Sequence, residues 1–177
     1  MISGTGSVTK SGSSTLTLSG NNTYSGDTTI SAGTINVSGK IGNGSYSGAI
    51  ANTGTFIMSS SNAHTLSGAI SGSGGITKSG SGNLTLSGSN NFTGTITLSN
   101  GTLISASDNA LGSAPTIAAS NSPTFQTSSS SITLPSLTVT GEINLTSDII
   151  TTGAQSYSAA TTIAVSYTHL TLPTNVA

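Results

Sequence analysis

The sequence predicts an all-β fold, a right-handed parallel β-helix (β-solenoid) with rungs of roughly 20–23 residues. Three observations carry that prediction: a long internal repeat, short runs in which apolar and hydroxyl residues alternate, and clusters of Gly and Asn between those runs.

The repeat comes first. "VTKSGSSTLTLSG" at residues 8–20 returns as "ITKSGSGNLTLSG" at residues 76–88. Residues 4–35 lie over residues 72–103 at an offset of 68 without a gap, and more than half the positions are identical. The remaining differences include conservative ones, such as Val8 to Ile76, Tyr24 to Phe92, Ile30 to Leu98 and Ile35 to Leu103. A finer period runs inside the 68, since "SGAI" recurs at a step of 20, "TLSG" does the same, and Tyr24 and Tyr46 stand 22 apart. Three steps of about 22 or 23 make 68, so the long repeat reads as three turns of a solenoid, with like residues stacked on like.

The elements follow in chain order. "STLTLSG" alternates Leu16 and Leu18 with hydroxyl residues, Ile35 and Val37 repeat the pattern, and "GTITLSNGTL" brings Ile96, Leu98 and Leu103. Further runs place Ile132 with Leu134, Leu137 with Val139, and Ile143 with Leu145. A period of two marks a strand with one buried face, so Leu16, Leu18, Leu84 and Leu86 point inward and Thr85 outward. The intervening "SGNN", "SAGT", "GNGS" and "SGSN" supply the positive φ of tight corners. Only residues 105–114, "SASDNALGSA", have the pattern for a helical turn or two. Asn43-Gly44 and Asn100-Gly101 are also hairpin signals, but phrase-level identity at a step of 20 to 22 favours stacked parallel rungs over a sandwich or barrel. Residues 1–164 then form about eight rungs, a rod about 38 Å long. Ordering each residue costs about 1 to 2 kcal/mol, so burial of a few side chains per rung holds only if neighbouring rungs stack.

Composition narrows function. The 177 residues carry three Lys, no Arg, four Asp or Glu and no Cys, with a net charge of −1. Such a chain has no electrostatic footprint for nucleic acid or an anionic membrane. It has no disulfide or thiolate metal site to hold it together. No run approaches the ~18 apolar residues of a membrane helix, and the first ten residues lack a secretory signal pattern. Met1 stands just before a repeat copy, so the reading expects a longer protein around this chain.

Residues 4–35 and 72–103 closely resemble the autotransporter-associated β-strand repeat of Gram-negative type V passenger domains. The Lys-Ser-Gly before the strand, the Leu-Thr-Leu-Ser-Gly strand, the Asn/aromatic/Gly corner and the closing Gly-Thr-Leu or Gly-Thr-Ile carry the resemblance. "TGTFIMSSSNAHTLSGAISGSG" at residues 53–74 resembles the spacer that precedes such repeats, and residues 140–160 resemble another passenger rung. The resemblance implies an extracellular, exported segment at the bacterial outer surface, with a C-terminal β-barrel translocator outside this chain. It implies a structural or adhesive stalk without chemistry of its own, whose partners are surface glycans or proteins of a host or neighbouring cell, or further copies of itself. The alternatives are a stalk presenting an enzymatic or binding domain encoded elsewhere, and an ice-binding solenoid.

The residues themselves offer no catalytic, cofactor-binding or metal-ligating set, and no cofactor is expected. Asp27, Asp108, Glu142 and Asp148 are scattered, so the paired carboxylates of glycoside cleavage are missing. Glu142 reads as a strand start and Asp148 as a corner. A Ser/His/Asp triad would have to draw on His64 or Asp108 with no nucleophile turn in the sequence, and His64 reads as an exposed corner residue. Lys10 and Lys78, equivalent in the repeat, read as solvated charges guarding sticky strands. Thr15 with Thr17, Thr95 with Thr97, and Thr138 with Thr140 form Thr-x-Thr strands like those of ice-binding faces, but the pairs do not recur in every rung.

Residues 165–177 break the pattern. "VSYTHLTLPT" brings His169, Tyr167 and Pro173 together without a Gly, and its codons can be written as the transposon-end adapter of tagmentation libraries. The reading treats residues 165–177 as a read-through scar outside the fold. Genomic reads continuing past Ala164 should encode another rung; independent reads encoding "SYTHLTLPT" in place would overturn this.

Overall fold

Each turn of the chain passes three faces in the same order, and the computed structural model describes this path over residues 1–113, 115–128, 131–134, 136–158 and 161–163. The first face stacks Val8–Lys10, Thr28–Ile30, Ile50–Asn52 and Ile70–Ser71, and at the far end Ser131–Leu134 on Asp148–Thr151. The second is an unbroken eight-stranded sheet: Thr15–Leu18, Thr34–Val37, Thr55–Met58, Gly75–Lys78, Ile96–Leu98, Thr116–Ala119, Leu137–Thr140 and Gln155–Tyr157. The third begins with Asn21–Asn22 on Lys40–Ile41. It continues through Ser45–Tyr46, His64–Leu66, Leu84–Leu86, Thr102–Ser105, Thr124–Thr127, Ile143–Leu145 and Thr161–Ile163. Every described strand pair is parallel, so the fold is the β-solenoid that the recurrence at 20 to 22 residues predicted, with about seven turns.

Between its strand pairs the first face is carried by irregular chain. The amide of Asn91 donates to Ile70 O and that of Asn90 to Asn109 O, both across one turn. Residues 105–113 form two consecutive hydrogen-bonded turns, Ala110 N to Ser107 O and Gly112 N to Asn109 O, rather than a helix. The only helical element among the described residues is the 3-10 turn Gly42–Gly44, where Asn43 takes φ 55°. The Asn-Gly pairs thus make corners, not hairpins. Ala114, at the end of the expected helical stretch, and residues 165–177 lie outside the described residues.

The core is a set of inward columns. On the second face Leu16, Ile35, Phe56, Ile76, Ile96, Ile117 and Val139 stack in register, one per turn. All but the first are at most 1% exposed. Leu16 is only partly buried because its strand ends the sheet, whereas Leu84 and Leu86, one face further on, are fully enclosed. The inward phase of all four leucines is as the alternation predicted, and Thr85 takes the opposite phase.

The register corrects the reading of the long repeat. Val8, Thr28, Ile50 and Ile70 pair in succession, so three full turns take 62 residues. Ile76, the repeat equivalent of Val8, lies six residues beyond Ile70, and it sits on the second face rather than the first. The 68-residue repeat is therefore three turns and one face, and successive copies are rotated by a third of a turn. The phrases that recur at a step of 20 do stack like on like, as Leu66 on Leu86 and Ile50 on Ile70, but the equivalent residues of the two long copies do not: Lys78 lies between Met58 and Leu98, on a different face from Lys10. Turns of about 20 residues need this extra face to reach 68, where the expectation of 22 or 23 did not.

Candidate functional site

The carboxylates act one at a time. Asp27 Oδ1 accepts the Ala49 amide at 2.8 Å, Asp108 Oδ1 accepts the Thr133 amide at 2.8 Å, and Glu142 Oε2 accepts the Ser122 hydroxyl at 3.1 Å. Each bond joins one turn to the next, so these acids tie turns together. Among the described residues no three of His, Asp and Glu converge as metal ligands would.

The lysines are not solvated, contrary to the sequence reading. Lys10 is 6% and Lys78 1% exposed. Both occupy inward positions of their strands, two residues after Val8 and Ile76, and the stem of Lys78 takes its place in the column between Met58 and Leu98. The ammonium then turns into the corner. Lys10 Nζ donates to Ser11 O at 2.9 Å, Gly12 O at 2.6 Å and Ala32 O at 3.4 Å; Lys78 Nζ donates to Gly80 O and to Asn100 O at 3.1 Å. Each lysine thus joins the carbonyls of its own corner to those of the next turn, a charge-assisted use of groups that would otherwise lack donors. Burial nevertheless pushes the Lys78 ammonium down to about 8.

Glycine completes this corner. Gly33 and Gly101 hold φ at 70° and 72°. A Cβ at Gly101 would lie 2.6 Å from both Gly80 O and Lys78 Nζ, and one at Gly33 would lie 2.9 Å from Lys10 Nζ. The Lys-Ser-Gly and the closing Gly-Thr-Ile or Gly-Thr-Leu of the repeat are therefore two sides of one contact. The lysine positions were legible, since the alternation that buries Val8 and Ile76 also turns Lys10 and Lys78 inward. Against it stands the ordinary cost of burying an ammonium, which favours solvent wherever carbonyls are not gathered to receive it.

His64 is a second correction. It is 3% exposed, on the strand His64–Leu66, in register with Leu84. Its Nδ1 lies 3.0 Å from Asn62 O, and Nε2 is buried with no hydrogen-bond partner. Burial lowers its proton affinity, opposed by the Asn62 carbonyl and reinforced by Lys40 and Lys78. Here too the i, i+2 relation to Leu66 places the ring inward.

Asparagine and tyrosine fill the remaining corners. Asn22 and Asn90, equivalent in the repeat, stand in for backbone: their Oδ1 atoms accept the amides of Ile2 and Ile70 in the preceding turn at 2.8 and 2.7 Å. Their Nδ2 atoms donate to Lys40 O and Ala110 O in the next at 3.1 and 2.6 Å. Tyr46 donates to Gly26 O at 2.6 Å, which leaves Thr28 to donate to Tyr46 and Tyr24 to donate to Thr28, a chain of bonds beneath two rings whose centroids lie 5.3 Å apart.

On the outside, the second face presents two columns. One runs Thr15, Thr34, Thr55, Gly75, Thr95, Thr116, Thr138 and Ser156; the other runs Thr17, Asn36, Ile57, Thr77, Thr97, Ala118 and Thr140. Neither holds a charge. All three Thr-x-Thr pairs named from the sequence fall on this one face, separated by turns in which Asn, Ile, Gly or Ala replaces one member.

The two corner-and-strand units fit a known pattern: the profile of the passenger-associated-transport-repeat matches residues 8–37 and 76–104. Two stretches of the chain are thus similar to that repeat. Both matches contain the buried lysine, the bridging asparagine and the glycine that faces the ammonium one turn later, so the structure gives each recurring element of the repeat a physical role. No curated protein and no solved structure matches the chain. The repeats and the solenoid together fit a stalk of an autotransporter passenger.

Proposed function

We propose that this chain is a segment of an exported passenger stalk at the cell surface, that it holds and displays rather than transforms, and that it adheres through its side. The repeat family supports export to the surface, and the second face supports adhesion: an uncharged array of hydroxyls, amides and small apolar groups that extends by one row per turn. Its partners are surface glycans or proteins, or another copy of the stalk. Contacts of this kind involve little long-range steering, so their strength depends weakly on salt.

The test is binding of the purified 177-residue chain to glycan and protein arrays and to itself, at 50 and 500 mM salt. The expected outcome is binding that changes less than about threefold with salt and is lost in Thr77→Lys/Thr97→Lys, which places two charges mid-face without touching the core. Binding that survives the double variant, or hydrolysis of a bound glycan or peptide, would overturn the reading. The Thr-x-Thr pairs on one face also support an ice-binding reading. The interruptions at Asn36, Ile57, Gly75 and Ala118 weigh against it, and thermal hysteresis in solution would favour it.

A further inference from the structure

His64 occupies an apolar column. Going up the third face, its inward neighbours in register are Leu84, Leu103, Phe125 and Leu145. On the other side the strand pairs with Ser45–Tyr46 through Thr65 and Leu66, one residue past the ring. The imidazole is therefore the one titratable member of a hydrocarbon stack, packed where each later turn puts a Leu or Phe.

Its surroundings favour the neutral ring. From the preceding turn the charged group that faces it is Lys40, and the nearby phenol of Tyr46 is already bonded to Thr28 and Gly26 O. From the following turn comes Lys78, held at its own corner carbonyls; Leu84–Leu86 brings no titratable group, and neither does the rest of the strand His64–Leu66. Both charges are cationic, and among the described residues no carboxylate offsets them. A proton on Nε2 would have no acceptor there, and a buried unpaired cation is expensive enough that the structure opens instead.

We propose that the turn carrying His64 is an acid-operated break in the stack: forming the imidazolium releases His64–Leu66 from the third face and uncovers the edges of Ser45–Tyr46 and Leu84–Leu86. Unpaired edges of this kind accept strands from another chain. The stalk would then open at one defined turn, between its two repeats, and not fray evenly from its ends.

The sign follows from linkage. The folded ring binds its proton more weakly than the ordinary 6.5 of a free imidazole. As pH falls below 6.5 the open state takes up a proton that the closed state does not, so opening rises by up to tenfold per pH unit until the closed state also titrates. The experiment is amide hydrogen exchange on the full 177-residue chain from pH 7 to pH 5, corrected for the intrinsic rate and read on peptides covering residues 56–86. The expected result is an opening constant that rises toward tenfold per unit in those peptides, not in residues 96–127, and that becomes flat in His64→Leu. Equal protection at both pH values, or the same rise in His64→Leu, would overturn the proposal. Should His64→Leu fail to fold, His169→Gln leaves His64 as the one imidazole for NMR titration. Titration below 6.5 together with the loss of protection supports the break, and titration at or above 6.5 overturns it.

Discussion

Lys78 shows how far a single residue can be drawn against its ordinary chemistry. Its stem contributes to a hydrocarbon column, while its ammonium supplies donors to Gly80 O and Asn100 O that the corner otherwise lacks. The burial that makes this possible holds its proton affinity at about 8, below the ordinary 10.5. Between those values the unfolded chain keeps the proton and the folded chain releases it, so stability should rise with pH from about 8, by at most about 1.4 kcal/mol per unit. Above about 10 the trend should reverse, because Tyr24, Tyr46 and Tyr157 are held neutral by burial and ionise first in the unfolded chain. Urea unfolding followed by circular dichroism at half-unit steps from pH 7.5 to 10 should show this rise in the native chain and none in Lys78→Met. A flat native profile would contradict it.

At the scale of the strand, phase is what matters. In Leu84–Leu86 the two leucines are fully enclosed and Thr85 between them is only partly buried on the opposite side. Leu86→Asp places an unpaired charge between Leu66 and Ser105 and should cost at least about 4 kcal/mol, abolishing protease resistance. Thr85→Asp should cost less than about 1 kcal/mol. Equal losses from the two, read by thermolysin digestion and far-ultraviolet circular dichroism, would reject the alternation. The strands themselves are short, two to four residues each. They hold because strands inside a sheet pair on both sides and because corner side chains such as Asn22 and Asn90 extend the pairing past the ends of the strands.

For the whole molecule, the rotation of the repeat by one face is the consequential feature. Thr17 and Thr85 are equivalent in sequence, yet Thr17 faces outward on the second sheet beside Asn36, and Thr85 lies on the third beside Thr65. The chain has no cysteine, so paired substitutions report on proximity directly. Thr17→Cys/Asn36→Cys should form an intramolecular disulfide under mild oxidation, since paired neighbours in parallel sheets lie about 4.8 Å apart. Thr17→Cys/Thr85→Cys should not, and a bridge there would mean that repeats stack in phase. A longer array with the same spacing would bring each corner of the repeat to all three sides of the stalk in turn.

Much of this was written in the chain itself. Alternation at Leu16, Leu18, Leu84 and Leu86 fixed which side of each strand is buried, because a period of two leaves no other choice, and recurrence near every 20 residues fixed parallel stacking. The same alternation already turned Lys10, Lys78 and His64 inward, but reading them so requires knowing that carbonyls wait at the corner for an ammonium and that Leu84 of the next turn lies in register with the imidazole. Ala32 O, Asn100 O and Leu84 stand 20 to 22 residues from the side chains they meet, and only closure of the turn brings them together. The count of residues per turn was likewise a tertiary matter. Sequence identity measures the distance between copies, 68 residues, but not how many faces the chain crosses in covering it; the corners decide that, by how tightly each lets the backbone bend.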